Sequence, residues 1–393
     1  MKIGYYTEVF LGSNDGPAVN ELEFIKSLSS LKKIEYVIFL ASENEGNPAL
    51  KGLNVFFLGM TLRVSSLWKW IKRFLYINKK IKAEGVDLVV CRVTDYPIAL
   101  LLIQIFNPKV KIVIKTAALW WLGRDKTNKI MDTIYNCFND ILTRLVYRNS
   151  DGIDVAMPET RETLIHLGLA RPDKACLIDN TINTKVFTPI SGVGARQKMK
   201  IPKHATVLGF AGSLPSQRGG AQLLKVAERL NNAVSDLYLL IVGDDNHLCD
   251  LIKASHFPQE KVIHPGQVPY SEIPLYLSAM TVCYSFFEEH KIQKTGNASQ
   301  KVKQYIAMGK PVISVATGHQ YLVDADIGSP VDQNNIEEIA NETLKWIKRI
   351  ETEGDALSQR LHQYAKEHLS TEKTFQQRLA FWNSLLKDNE DVP

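Results

Sequence analysis

Long apolar runs are missing from this sequence of 393 residues. No window holds the roughly 18 consecutive apolar residues that a membrane-spanning helix requires. The first residues also lack a charged region followed by an apolar signal core. Cysteine is scarce: five residues, without paired or metal-type spacing, do not describe a disulfide framework. These absences predict a cytoplasmic protein in a reducing compartment.

A strong net charge is absent as well. The chain has 47 Lys and Arg residues against 42 Asp and Glu residues, a net charge of +5, and the two signs are mixed along it. We therefore expect no nucleic-acid binding, while an anionic small ligand and a membrane surface both remain open as partners.

Signatures of hydrolases, kinases and zinc enzymes are also missing. The sequence has no Gly-x-Ser-x-Gly motif, no Walker-type lysine loop and no histidines at ligand spacing. Asp324-Ala325-Asp326 has the spacing of a metal-binding pair, but such pairs often arise by chance. We interpret it as a loop and expect no metal site.

The sequence does contain a repeated alternation of apolar strands and amphipathic helices. In the first half, apolar runs of strand length lie at 1–6, 36–41, 55–58, 87–91, 111–115 and 151–157. The pattern restarts at Thr206 and continues to the end of the second half. Alternation of this kind predicts an α/β protein with two Rossmann-like, doubly wound domains that face each other across a cleft.

Proline, glycine and lysine interrupt the alternation between the two halves. Pro189, Gly192 and Pro202 lie in this segment, which has no apolar periodicity. The predicted organisation is a first domain at 1–185, a linker at 186–204, a second domain at 205–370, and a C-terminal helix at 371–393 that packs back on the first domain.

The predicted helix at 65–82 combines aromatic and basic residues. Trp68, Trp70 and Phe74 alternate with lysines and Arg73. A surface helix whose apolar stripe packs on the sheet explains this composition, and a helix lying in a membrane interface explains it too. Both interpretations stay open.

A polar loop and the helix behind it, 295–314, predict an anion site. The helix begins near Ser299 and ends at Gly309, so its free N–H groups and the positive end of its dipole face the loop. Apolar spacing buries one side of the helix and leaves Lys301 and Gln304 near the loop-facing end.

A second loop, Gly212 to Gly220, follows a predicted strand and precedes a helix. It contains glycines and one fixed cation, Arg218, which together can bind a phosphate. In a parallel sheet, both loops lie at the carboxyl ends of strands, where open α/β sheets bind their ligands. Two such loops can hold a diphosphate.

The order and spacing of five pieces resemble a known family, the retaining glycosyltransferases of family 4, also called group 1, with the GT-B fold. The resembling pieces are Gly16-Pro17, Asn180-Thr181-Ile182-Asn183 with Phe187 and Pro189, Gly212 to Gly220, Ile241-Val242-Gly243-Asp244, and Lys301 to Val312. The resemblance covers roughly residues 1 to 385.

The resemblance implies that the second domain binds a nucleotide-sugar donor and the first a carbohydrate or lipid-linked acceptor. Transfer to a hydroxyl would retain the anomeric configuration and need neither metal nor cofactor, with UDP or GDP as the favoured nucleotides. The implied pathway is polysaccharide, glycolipid or glycoconjugate biosynthesis at the cytoplasmic face of the membrane. The implied donor-diphosphate residues are Gly16, Gly212, Ser213, Arg218, Gly296, Asn297, Ser299 and Lys301. The implied catalytic residues are Arg218, Gln304 and Glu288, with Gln304 also on the donor ribose.

The sequence also departs from this family. Ser213 replaces an arginine and Gln304 replaces the second of two glutamates. The first glutamate has no clear equivalent, since Glu288 and Glu289 are followed by an insertion-like basic segment, His290 to Lys294. A glutamine can still hydrogen-bond a ribose, although more weakly than a carboxylate. Two alternatives therefore remain: a non-catalytic GT-B binding or scaffold protein of a polysaccharide assembly system, and a GT-B-like nucleotide-sugar epimerase.

Overall fold

The computed structural model divides into two compact units. Met1–Asn180 and Thr374–Pro393 form unit 1, and Thr181–Lys373 form unit 2. The residues that the structure describes are 1–12, 16–31, 34–58, 67–92, 97–123, 130–212, 219–243, 248–287, 292 and 299–387.

Unit 1 is built on a parallel sheet. Its strands are β1 (Lys2–Tyr6), β2 (Glu35–Leu40), β3 (Val55–Phe57), β4 (Leu88–Cys91), β5 (Lys111–Thr116), β6 (Gly152–Val155) and β7 (Ala175–Leu177). Their order is β3-β2-β1-β4-β5-β6-β7. In the register, Ile3 lies opposite Tyr36 on one side and Leu88 on the other. All four residues of β4 are buried, as expected for a strand covered on both faces.

Helices cover both faces of this sheet. They are α1 (Gly16–Ser29), α2 (Leu67–Glu84), α3 (Ile98–Phe106), α4 (Ile130–Asn149) and α5 (Pro158–His166). One core contains Phe74 of α2, Ile103 of α3 and Val146 of α4. A separate core on the opposite face contains Phe24 of α1. The sheet therefore separates α2, α3 and α4 from α1.

Unit 2 repeats the architecture. Its strands are β8 (Thr206–Ala211), β9 (Leu237–Val242), β10 (Val262–Gly266), β11 (Val282–Ser285), β12 (Val312–Val315) and β13 (Gly328–Val331), in the order β10-β9-β8-β11-β12-β13. Its helices are α6 (Val193–Lys198), α7 (Gly220–Leu230), α8 (Leu248–Ala254), α9 (Ile273–Ala279), α10 (Gln300–Ala307), α11 (Tyr321–Asp324), α12 (Ile336–Glu353) and α13 (Asp355–Tyr364). All described strand pairs are parallel.

The last helix, α14 (Thr371–Lys387), begins at the end of unit 2 and contributes to the core of unit 1. Phe375 and Trp382 join the core that contains Phe24. Arg378, on the same helix, donates through Nε to Asp154 of β6 at 2.7 Å, and both side chains are 1% exposed. A buried ion pair thus holds α14 on the sheet.

The remaining helical elements are short. The 3-10 helices lie at Ser42–Asn44, Pro48–Leu50, Trp120–Gly123, Gln259–Lys261 and Tyr270–Glu272, and a π-helical turn lies at Ala365–Leu369.

Two parallel-sheet, Rossmann-like units confirm the predicted fold class. The segment 186–204, predicted as a linker, lies within unit 2 and contains α6. Arg196 of this helix donates to the carbonyl oxygens of Ala279 at 3.1 Å and Ala205 at 2.9 Å, which ties the segment to the sheet.

Among the described helices, none combines the length and apolarity needed to cross a bilayer.

Candidate active site

The strand order of unit 2 reverses direction between β8 and β11. From β8 the chain proceeds outward to β9 and β10, and it then returns to β11 on the other side of β8. In open parallel sheets, a crevice forms outside the carboxyl ends of the strands at such a switch point, and ligands bind there. The residues that follow β8 and β11 are therefore the first candidates for the site.

Gly212, directly after β8, adopts a conformation that favours glycine. Its φ is 138°, and its N–H donates to the carbonyl of Val242 at 2.8 Å. Gly243, at the end of the next strand, has a φ of 141°, and a Cβ there would collide with the Gly212 carbonyl. Glycine at both positions lets the carboxyl ends of the two strands approach closely.

Tyr305 fixes helix α10 against the end of β8. Its hydroxyl accepts from the N–H of Ala211 at 2.8 Å and donates to the carbonyl of the same residue at 3.3 Å. Burial raises the pKa of Tyr305 well above its usual value, so the hydroxyl stays neutral. The amino end of α10, at Ser299, lies by the end of β11, where the Ser299 and Ser285 hydroxyl oxygens are 3.4 Å apart. Such an end presents backbone N–H groups and a partial positive charge.

Lys301 brings a cation to the same place. Its Nζ lies 4.3 Å from the ring centroid of Phe210 and 4.8 Å from that of Phe287, so two aromatic faces hold the ammonium group. A Cβ added to Gly212 would lie 3.3 Å from this Nζ. The end of β8 and the first turn of α10 thus converge on one positive charge, an arrangement suited to a phosphate group.

Gln304 lies one turn further along α10 and is only 7% exposed. Its Nε2 donates to the hydroxyl of Tyr270 at 3.3 Å, and the Tyr270 ring packs against Phe187 with centroids 5.7 Å apart. Tyr270, in the short helix before α9, is a neighbour that the sequence pattern did not identify.

The structure brings three of the predicted site residues together in unit 2, Gly212, Ser299 and Lys301, and a fourth, Gln304, lies one turn further along α10. Gly16 belongs to unit 1, where it is the first residue of α1. The other predicted diphosphate and catalytic residues lie outside the described residues; they are Ser213, Arg218, Glu288, Gly296 and Asn297.

Unit 1 has a charged cluster at its own switch point, between β1 and β4, which sequence reasoning missed. Glu21 of α1 is fully buried and accepts from Lys115 at 2.8 Å, from Arg92 at 3.2 Å and from the Tyr5 hydroxyl. Burial opposes ionisation of Glu21, but Lys115 and Arg92 outweigh it and lower the pKa of this carboxyl to about 2. The one available signal was a lysine that directly follows the apolar residues Ile112–Ile114 of β5. Two cations against one carboxylate leave a positive charge at this sheet edge.

Within the described residues, no three His, Cys, Asp or Glu side chains form a group that could hold a metal ion. Asp326, half of the Asp-x-Asp pair, instead accepts from Arg349 at 2.7 Å and from Arg360 at 3.0 Å. Hydrogen bonds from Arg349 lower the pKa of Asp326. Its role is to connect the loop after α11 to α12 and α13.

The two parallel-sheet, Rossmann-like units place the chain in the GT-B class of fold. Residues 195–368, a span that contains the whole described part of the unit 2 site, match the family model of glycosyl transferases group 1. The fold and the match together support a glycosyltransferase of GT-B architecture.

Known proteins similar to the chain include one curated relative and several solved structures. The D-inositol 3-phosphate glycosyltransferase of Stackebrandtia nassauensis is 30% identical over 102 residues, which is 25% of this chain and 23% of that protein. The chain thus aligns with less than a quarter of the length of this relative. A glycosyltransferase from Rickettsia africae has a TM-score of 0.76 at 18% identity, with 98% of each chain covered. Anabaena HepE in complex with UDP has a TM-score of 0.71 at 16% identity, covering 98% of this chain and 100% of that one. At such identities the structural likeness shows the fold alone.

Proposed function

We propose that the protein is a retaining glycosyltransferase that moves a sugar from a nucleoside-diphosphate donor to an acceptor hydroxyl. The observation that carries the proposal is the convergence of Lys301, the Gly212 backbone and the amino end of α10 at the switch point of unit 2. The family match over 195–368 supports it. The UDP complex of HepE, a protein of the same fold, supports a nucleoside diphosphate as the ligand class.

In the proposed mechanism, the protein stabilises the leaving group. Negative charge builds on the distal phosphate of the donor as its bond to the sugar breaks, and this charge is larger in the transition state than in the bound donor. Lys301 and the N–H groups of the first turn of α10 are fixed in advance, so they favour the transition state without reorganising. Arg218, by the family resemblance, adds a second cation.

These groups supply the positive charge that a metal ion would otherwise provide, so we propose that transfer needs neither metal nor cofactor. UDP and GDP sugars are the proposed donors, and a carbohydrate or a lipid-linked sugar is the proposed acceptor in polysaccharide, glycolipid or glycoconjugate biosynthesis. Release of nucleoside diphosphate that continues unchanged in EDTA would support metal independence.

The direct test of the donor site is thermal unfolding in the presence of UDP, GDP, ADP and their hexose conjugates. We expect one nucleotide series to raise the melting temperature, because a ligand that binds only the folded state at about 100 times its dissociation constant adds about 2.7 kcal/mol. Nucleosides without phosphate serve as the control and should shift it little. If no nucleotide sugar shifts the transition, the donor site is wrongly assigned.

Gln304 favours a second candidate, a GT-B binding or scaffold protein without catalysis. The position lacks the family carboxylate, and its amide is nearly buried against Tyr270. Nucleoside diphosphate release separates the two candidates: an enzyme releases it when an extract supplies acceptors, whereas a scaffold binds the donor without release.

The replacement Gln304→Glu tests whether this position faces the donor ribose. The Tyr270 hydroxyl can donate to one carboxylate oxygen and leave the other for the ribose hydroxyls, and a charged acceptor binds more strongly than an amide by about 1 kcal/mol. We therefore expect the dissociation constant of the donor nucleotide, measured by calorimetry, to fall roughly fivefold. The matched control is the dideoxynucleotide, for which the gain should disappear. An equal gain with that control, or none with either ligand, would place Gln304 away from the ribose.

A further inference from the structure

Helix α4 exposes a stripe of large apolar side chains. Ile134 is 58% exposed, Phe138 52%, Ile141 52% and Leu145 40%. Their spacing of four, three and four residues places them on one side of the helix. The opposite side is already buried, since Val146 and Tyr147 belong to the core of unit 1. A surface helix normally presents polar residues outward, so this stripe needs an explanation.

The neighbouring helices extend the stripe. Helix α3 packs against both α2 and α4, and the rings of Phe74 and Phe106 lie 5.3 Å apart. All three helices bury their inner sides in one core on the same face of the sheet, so their exposed side chains share the outer side. The α2–α4 surface is defined by Leu75, Tyr76, Ile105, Phe106, Ile134, Tyr135, Phe138, Ile141 and Leu145, each at least 40% exposed.

Lysines accompany the apolar residues on the outer side of α2. Lys72 and Lys79 are exposed and lie within a turn of Leu75 or Tyr76 along the helix, and Lys82, also exposed, lies two turns from Leu75. Among the described side chains of α2, α3 and α4, no carboxylate is exposed. Asp140 and Glu84 are both half-buried, and Glu84 is paired with Lys80 and Lys2. The surface is therefore apolar and basic at once.

We propose that the α2–α4 surface docks the protein on an anionic membrane. Apolar side chains enter the boundary between headgroups and acyl chains, and the long lysine side chains keep their ammonium groups among the lipid phosphates. Contiguous exposed apolar patches on soluble domains commonly mark interaction sites. Because this proposal concerns unit 1 alone, it stands independently of the donor site and goes beyond the proposed transfer reaction.

The charge pattern favours a membrane over a second copy of the chain. In a two-fold dimer the same surface forms both sides of the contact, so the lysines of one copy would approach those of the other, and the described side chains of the three helices offer no exposed carboxylate to meet them. An anionic bilayer supplies the missing negative charge.

The test is co-sedimentation of the full-length protein with vesicles of phosphatidylglycerol and phosphatidylcholine. We expect binding at low salt, weaker binding as salt rises, and little binding to pure phosphatidylcholine. The double variant Phe138→Ser, Ile141→Ser should weaken binding on the order of tenfold or more, since it removes two inserting side chains. The double variant Lys72→Glu, Lys79→Glu should remove the preference for anionic lipid.

Matched controls come from unit 2. Val193 and Val323 are 48% and 51% exposed, so replacing both by Ser removes similar apolar surface without affecting the α2–α4 surface. Lys253→Glu with Lys366→Glu makes the same charge change at two exposed lysines. Both control pairs should bind vesicles like the unmodified protein, and all variants should keep its melting temperature.

Two results would overturn the proposal. One is vesicle binding that is absent at every salt concentration, or that the Phe138 and Ile141 changes leave intact. The other is a concentration-dependent dimer in the absence of lipid that the same changes abolish, because that would assign the surface to a second copy.

Discussion

We expect the replacement Arg378→Met to lower the free energy of unfolding of unit 1 by about 3–5 kcal/mol. The guanidinium group of Arg378 donates to Asp154 at 2.7 Å and to the carbonyl of Asp179 at 2.9 Å. Both charged side chains are 1% exposed. Methionine fills much of the same volume but leaves the Asp154 carboxylate buried without its cation, which is the costly part of the change.

Urea denaturation read by hydrogen exchange of peptides from α14 and β6 measures this effect in unit 1 separately from unit 2. The double variant Arg378→Met, Asp154→Leu is the control, because replacing a whole buried ion pair by apolar side chains is often close to neutral. We expect the double variant to recover most of the lost stability. A single variant that loses less than about 1 kcal/mol, or a double variant that is no better than the single one, would show that the pair does not hold α14 on the sheet.

The fold class was predictable because it depends on short-range pattern. Runs such as Leu88–Cys91 are apolar throughout, which is typical of strands covered on both faces, and an intervening helix forces neighbouring strands to run parallel. The helix predicted at 65–82 is found at Leu67–Glu84 for the same reason. Parallel topology then places every strand's carboxyl end at one edge, so Gly212 and the start of α10 could be assigned to a common site without any knowledge of side-chain contacts.

Pairing across long sequence distances could not be predicted in this way. Arg73 was grouped with the solvent- or lipid-facing cations of α2, yet its side chain is fully buried and pairs with Glu8. Glu21 and Lys115 are 94 residues apart and form a buried pair. Composition and periodicity assign charged residues to the surface because burying an isolated charge is costly, and only the folded chain reveals which partner offsets that cost.

The exposed apolar stripe of α4 was not predicted either. Here apolar residues are exposed, whereas in the preceding cases charged residues are buried. Apolar residues at helical spacing indicate a side that packs on the sheet, but α4 has apolar residues on more than one side. Periodicity identifies the helix without telling which side the sheet covers. The folded structure answers this question, because Val146 and Tyr147 belong to the core whereas Phe138 and Ile141 are exposed.

The second large expected effect concerns the donor site. We expect Lys301→Met to raise the dissociation constant of the donor nucleoside diphosphate by roughly 10- to 150-fold, because a hydrogen bond to a charged phosphate is worth about 1.5–3 kcal/mol. Methionine keeps the apolar contact with Phe210 and Phe287 and removes only the charge, so the melting temperature without ligand should change little. Calorimetric titration with the nucleotide that stabilises the protein most measures the effect.

Two comparisons make the role of Lys301 specific to phosphate. The nucleoside without phosphates should bind the Lys301→Met variant and the unmodified protein equally, because the ammonium group lies beside Gly212 and the first turn of α10. Lys253→Met, at an exposed lysine of α8, controls for a general loss of positive charge in unit 2 and should leave nucleotide affinity unchanged. If Lys301→Met binds the diphosphate as tightly as the unmodified protein does, the two aromatic rings hold this lysine for packing. The anion site would then have to rest on Arg218, by the family resemblance, and on backbone N–H groups, which favour phosphate through partial charges at the helix end.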